Sequence, residues 1–182
     1  TLAFPGAEGF GRFTVGGRGG RVIEVTNLNE NGPGSLKDAL LQSGPRIIVF
    51  RVGGTITWIT TWEVTNPFVT IAGQTAPGDG ITIRGPLHFD YNMNAIIRHI
   101  RIRPDKAVAA TSMEGLALKG GPYMVDHVST SWAGDDQILI WGGKDVTVQW
   151  SIISEQLGPG GSLLGRGDST SIHHNLFALG GA

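Results

Sequence analysis

The sequence predicts an all-β chain folded as a solenoid of stacked parallel strands, with one short helix near its start. Two observations carry the solenoid. First, β-branched triplets recur at Val69-Thr70-Ile71, Ala95-Ile96-Ile97, Met124-Val125-Asp126, Val146-Thr147-Val148 and Ser171-Ile172-His173, at intervals of 22 to 29 residues. A second series follows about ten residues behind, as in Ile81-Thr82-Ile83 and Ile100-Arg101-Ile102. Second, glycine is in excess, 29 of 182 residues, and concentrates between the triplets in turn-forming stretches such as GQTAPGDG, KGGP, WGGKD and GRGDS. Short strands at a fixed period, each bounded by turns, stack as rungs with inward side chains forming apolar ladders. A β-sandwich also accommodates short strands and frequent turns. The regular period and the shortage of Asn-Gly hairpin signals favour the solenoid.

The helix is read over 35–43. Ser35 caps it, Asp38 stands three residues on, and Gly44-Pro45 ends it. Leu36, Ala39 and Leu40 fall on one face, as does Ser43, which suits a plug over an open end of the solenoid core. No comparable segment lies at the other end, where Gly180-Gly181-Ala182 follows a strand-like stretch. Something is expected to cover that end, either further sequence or another copy of the chain in a homo-oligomer.

Composition narrows the function. One domain over 1–182 is expected from length, enough to bury about 70% of the unfolded surface. Fourteen basic and 15 acidic residues give a net charge of −1, so neither nucleic acid nor an anionic membrane surface is an expected partner. No apolar run approaches the ~20 residues of a membrane span. There is no cysteine, hence no disulfide framework and no thiol catalyst. The chain opens at Thr1 rather than Met, which suggests a removed leader or a piece of a longer protein.

Several stretches together resemble one family. FPGAEGFG (4–11), GGRGG (16–20), VTNLNENGPGSLKDAL (25–40), VTIAGQTAPGDGITIRG (69–85), IRHIRIRP (97–104), VDHVSTSW (125–132), VQWSIISE (148–155) and HHNLF (173–177) are similar, in order, to bacterial and fungal pectate lyases. The resemblance implies a right-handed parallel β-helix, secretion, and calcium-assisted β-elimination on polygalacturonate, an acidic polysaccharide. That reaction removes a weakly acidic proton α to a uronate carboxylate, so the developing charge needs a cation beside it. Calcium takes six to eight oxygen ligands, which requires carboxylates converging from neighbouring rungs. Glu114 matches the family's first acid and Asp135 its second, while Asp136 stands where relatives carry Glu. Asp135 is expected to face the cation and Asp136 to support the turn, since adjacent strand residues point apart. Both Glu114 and Asp135 also read as surface turn residues.

The chain departs from the family pattern twice. Leu139 stands where relatives have a further carboxylate, which thins the calcium site and leaves the substrate carboxylate to complete it. The arginine-bearing segment expected shortly after HHNLF, whose arginine removes the proton or clamps the carboxylate, is not met before Ala182, five residues beyond Phe177. Lys119 and Arg166 are then the nearest basic candidates for catalysis and substrate binding, although each also reads as a solvated turn residue. Three classes remain: a calcium-assisted lyase, a silent β-helix that binds acidic polysaccharide or serves as a scaffold, and a fragment of a longer lyase.

Other features read more plainly. Asp126-His127 resembles a general-base pair but is expected to be structural. His173-His174-Asn175 invites a metal, but adjacent strand residues face opposite sides. Arg166-Gly167-Asp168 is a glycine turn that only spells an adhesion tripeptide, and Gly16 to Gly20 lacks the Lys-Ser/Thr of a phosphate loop. Trp132, Trp141 and Trp150, nine apart, either line a sugar-stacking groove or pack over turns; Trp132 is taken as substrate-binding.

Overall fold

The computed structural model describes residues 1–58, 61–91, 93–104 and 113–179. The chain winds as a parallel β-helix of three sheets, each turn passing in order through the long, middle and short sheets. The long sheet stacks Arg21–Val25, Arg46–Phe50, Val69–Ala72, Ala95–Arg98, Tyr123–Asp126, Val146–Gln149 and Thr170–His173. The middle sheet stacks Gly54–Thr57, Ile81–Arg84, Ile100–Ile102, Ser129–Ser131, Ile152–Ser154 and Leu176–Ala178. The short sheet stacks Glu63–Val64, Leu87–Phe89, Leu116–Lys119, Ile138–Trp141 and Ser162–Gly165. Every pairing is parallel, and Val69, Ala95, Tyr123, Val146 and Thr170 stand in one column.

Alternation along the strands explains the core. Val69 and Ile71, Ala95 and Ile97, Tyr123 and Val125, and Val146 and Val148 point inward and are buried. They meet Ile81 and Ile83, Leu116 and Leu118, and Ile138 and Ile140 from the other two walls. Each fully buried aliphatic side chain contributes about 1.5–3 kcal/mol, and stacking like on like lets each rung template the next.

The corners share a second regularity. A residue with left-handed backbone follows the long-sheet strands at His99, His127, Trp150 and His174, the middle-sheet strands at Trp132, Glu155 and Leu179, and the short-sheet strands at Gly120, Gly142 and Arg166. One left-handed residue turns the chain sharply onto the next wall. Away from glycine it costs about 1–2 kcal/mol, which ring stacking along the His99–His127–Trp150–His174 column helps offset.

The helix spans Leu36–Leu41, shorter than 35–43 because Gln42 is already extended. Ser35 Oγ accepts from the Asp38 amide at 3.2 Å, and Leu36, Ala39 and Leu40 are buried in the core. Beneath the helix lies a fully buried arginine. Arg46 spends all five of its N–H donors on backbone carbonyls: Ala39 and Leu40 at the helix end, Gly44, Asn66 and Pro67, at 2.7–3.1 Å. Burial, with Arg21 adding, lowers its pKa to about 10.

Residues 1–20 form a strap along the outer face of the long sheet. Its amides bond outward side chains: Gly11 to Thr147 Oγ1 at 2.8 Å, Gly16 to Asn94 Oδ1 at 2.7 Å and Gly17 to Thr70 Oγ1 at 2.9 Å. A Cβ at Gly11 or Gly17 would overlap the backbone at Tyr123 or Arg46, so GFG and GGRGG serve close approach and not phosphate. Beneath the strap Asp126 accepts from Arg98 and Gln149 at 2.8 Å, and His127 Nδ1 lies 3.0 Å away. Burial opposes its ionisation, but Gln149, His127 and Arg98 together hold its carboxyl below the usual range. Asp126 is thus part of the wall under the strap, and His127 stands at the corner that follows it.

Replacing Arg46 with Met leaves five carbonyls without their donor while keeping much of the buried volume. Urea unfolding is expected to show a loss of ~3–5 kcal/mol; a loss below about 1 kcal/mol would contradict the bonding role given to the guanidinium.

Candidate active site

The connection from the middle to the short sheet gathers the acids. Leu116 pairs with Ile138, so Glu114 and Asp136, each two residues earlier, occupy equivalent places on adjacent turns. The Gly115 amide donates to the Asp136 carbonyl at 2.8 Å and the Asp135 amide to the Met113 carbonyl at 3.1 Å, which locks the two connections together. The ladder thus aligns Asp136 with Glu114 and sets Asp135 one place off, beside Met113. Asp136 Oδ1 accepts from the Gly161 amide at 3.1 Å, tying it to the following turn. Behind Glu114 sits His88, which the sequence reading had passed over; its Nε2 lies 3.1 Å from the Glu114 carbonyl and 3.7 Å from Oε2.

These carboxylates feel one another. Burial raises the Asp136 pKa, and the negative charges of Asp135 and Glu114 raise it further, against the Gly161 amide. The three are not closed into a cage. Among the described residues, trios whose ligand atoms all lie within 4.8 Å occur elsewhere, at Glu8–His173–His174 and His99–Asp126–His127. An all-carboxylate donor set fits a hard divalent cation such as calcium. Leu139 stands on the outer face between Ala117 and Leu163, so no carboxylate joins from that position.

The same corner carries Trp132 and a cation. Trp132 leaves the middle sheet in the left-handed conformation, 40% exposed, its Nε1 donating to Glu155 Oε2 at 2.6 Å. The Arg103 guanidinium lies 5.8 Å from its ring centroid. Arg103 Nη1 bonds the Ile102 and Ser129 carbonyls and Nη2 bonds Ser129 Oγ. That leaves Nε–H and one Nη2–H without a partner among the described residues, the edge that grips a carboxylate in two parallel bonds. Burial lowers its pKa, with Arg101 adding. The sequence did hold the signal for Arg103: in IRIRP, outward Arg101 and Arg103 alternate with inward Ile100 and Ile102.

Lys119 and Arg166 lie elsewhere. Lys119, Trp141 and Gly165 align at the far end of the short sheet, five residues or about 16 Å of strand from the acids. Lys119 is ion-paired with Glu63, whose hydrogen bond raises its pKa, and Arg166 lies over the Trp141 ring at 5.1 Å. The three tryptophans do not share a groove. A nine-residue step is about a third of a turn, so Trp132 exits the middle sheet, Trp141 ends the short sheet and Trp150 exits the long one.

Comparisons with known proteins decide the family. Proteins named "Probable pectate lyase C" from Aspergillus flavus and Emericella nidulans are 46% and 45% identical over 181 residues, 97% of this chain. The chain belongs to the pectate lyase family. It spans 42% of the length of those relatives. An Arabidopsis thaliana protein with a pectate lyase name is 32% identical over 78% of the chain. No family model matches. Among solved structures, Jun a 1, the major allergen from cedar pollen, superimposes with a TM-score of 0.66 at 20% identity, covering 82% of this chain and 49% of that one. This last likeness supports the parallel β-helix alone.

A carboxyl whose folded-state pKa is raised lowers stability as pH climbs from the ordinary carboxylate value through the raised one. Without divalent cations, Asp136→Asn is therefore expected to be more stable than the parent chain at pH 7. The difference should close as pH falls below the ordinary carboxylate value, measured by urea unfolding across pH in chelator. A variant less stable at pH 7 would contradict the mutual repulsion.

Proposed function

We propose that this chain carries a calcium-dependent polyuronate site and forms part of a secreted pectate lyase acting by β-elimination. The observation that supports this most directly is the convergence of Glu114, Asp135 and Asp136 with the open edge of Arg103 and the exposed face of Trp132 at one corner of a pectate lyase-family β-helix. Glu114, Asp135 and Asp136 would hold a divalent cation, which would supply positive charge beside the uronate carboxylate where negative charge develops during β-elimination. Asp136, aligned with Glu114, is its partner across the ladder, and Asp135 closes the site from the adjacent position. Arg103 orients the same carboxylate or that of the neighbouring sugar through the Nε and Nη2 donors that no described residue meets. Trp132 supplies a flat apolar surface beside it. Lys119 and Arg166, about 16 Å away along the strands, meet another part of the polymer rather than the reacting sugar. The short-sheet outer face between them, with Ala117, Leu139 and Leu163, is the surface the polymer crosses.

Leu139 favours a second reading. With one acid fewer than the family pattern implies, the site binds acidic polysaccharide through a cation without turning it over.

Polygalacturonate incubated with the full-length protein is expected to gain the ultraviolet absorbance of the unsaturated product, and calcium chelation should abolish the gain. Arg103→Ala should weaken polygalacturonate binding about tenfold, consistent with loss of a charge-assisted pair. Calcium-dependent binding without absorbance would select the second reading; neither binding nor absorbance would contradict both.

A further inference from the structure

The outer column of the long sheet ends in a cluster that the polyuronate site does not use. His173 closes the strand Thr170–His173, and His174 follows with left-handed backbone, φ 55°. Extended neighbours would face opposite sides, which is why the sequence argued against a metal there. The left-handed turn instead folds His174 back beside His173, with the two Nδ1 atoms 2.8 Å apart and the rings at 82°.

The strap brings a carboxylate to the same place. Its position is fixed by the Glu8 amide on Gln149 Oε1 at 3.1 Å, by Thr147 Oγ1 donating to the Glu8 carbonyl at 3.0 Å, and by the Phe10 amide on Ser171 Oγ at 3.1 Å. Glu8, His173 and His174 then each offer a ligand atom within 4.8 Å of the others. Among the described residues the Glu8 carboxylate meets neither a donor nor a cation. His173 Nε2 is buried without a partner, so the facing Nδ1 of His174 is the polar contact of that ring. Two imidazoles turned nitrogen to nitrogen beside a free carboxylate are what one ion would hold, since bonds of about 2.1 Å place neighbouring ligand atoms roughly 3 Å apart.

The other trio, His99–Asp126–His127, has no such vacancy. Asp126 is already held by Arg98 and Gln149, and the Arg98 guanidinium at 2.8 Å opposes a second cation.

We propose that Glu8, His173 and His174 form a binding site for a borderline divalent transition ion of the Zn2+ class, which staples the N-terminal strap to the turn carrying Thr170–His173. Imidazole nitrogen selects such ions over calcium, whose ligands are oxygens. The site is therefore chemically separate from the carboxylates at Glu114 and Asp136.

The test is a Zn2+ titration of the full-length protein, stripped with chelator, against a chromophoric competitor and in millimolar calcium. Thermal melts with and without Zn2+ accompany it. The variants are Glu8→Gln, His173→Gln and His174→Asn, the last because Asn tolerates left-handed backbone, with His127→Asn as the control from the other trio. Expected is one equivalent of Zn2+ that calcium does not displace, weakened at least tenfold in both histidine variants, weakened in Glu8→Gln and unchanged in His127→Asn. Zn2+ should raise the melting temperature of the parent and the control but not of the three site variants. Absence of saturable binding, displacement by calcium, indifference to His173→Gln and His174→Asn, or equal loss in His127→Asn would each overturn the proposal.

Discussion

In-register stacking of successive turns is the constraint on which everything else rests. Parallel strands lie about 4.8 Å apart, so each residue sees its counterpart one turn away more closely than most of its sequence neighbours. Inside, this makes columns of Val, Ile and Leu whose contacts reinforce one another. At the corners it repeats left-handed residues, and among the described residues ten with such backbone are not glycine. That recurring cost persists because the backbone pairing on both sides of each corner over-determines it. Outside, the same geometry converts residues some two dozen positions apart into neighbours, as at Glu114 and Asp136, whereas the strap brings Glu8 to His173 and His174 from far away in sequence.

The walls divide the labour. The long sheet is covered by the strap, and its outward polar residues, Thr70, Thr147, Arg98, Asp126 and Gln149, are spent on holding that strap or one another. The middle-to-short connection is the reverse, with half-buried carboxylates that repel one another and an arginine whose Nε–Nη2 edge meets no described residue. Polar groups satisfied within the fold build structure, whereas groups left unsatisfied or mutually repelled are poised to bind.

Much of the fold could be read from the sequence because inward β-branched residues alternate with outward polar ones in the long and middle sheets. The short sheet was less legible: Ile138 and Ile140 read as a core ladder, but Ala117 and Leu139 are apolar on its outer face as well and the alternation vanishes. Choosing triplets by β-branching also set Met124 and Ser171 in place of Tyr123 and Thr170, a slip of one position. Glu114 and Asp135, matched through the family resemblance, stand 21 residues apart, beside a ladder repeat of 22 that places Asp136 level with Glu114. His173 and His174 were assigned to opposite faces by strand geometry, which a left-handed corner overrides. The strap and the buried Arg46 carry no periodic signal, because their bonds run to backbone and to residues far away in sequence. Trp132 was legible as an exposed ring, but its partner Arg103 emerged only when the corner was assembled.

The most direct measurement is a double-mutant cycle on stability in chelator at pH 7, with Glu114→Gln, Asp136→Asn and the pair. If the two carboxylates are ladder neighbours, the first substitution relieves most of the repulsion, and the second gains less. The pair should then fall short of the summed single effects by about 0.5 kcal/mol or more. Additive effects would mean that the register does not bring these acids together, and the shared cation site would fall with it.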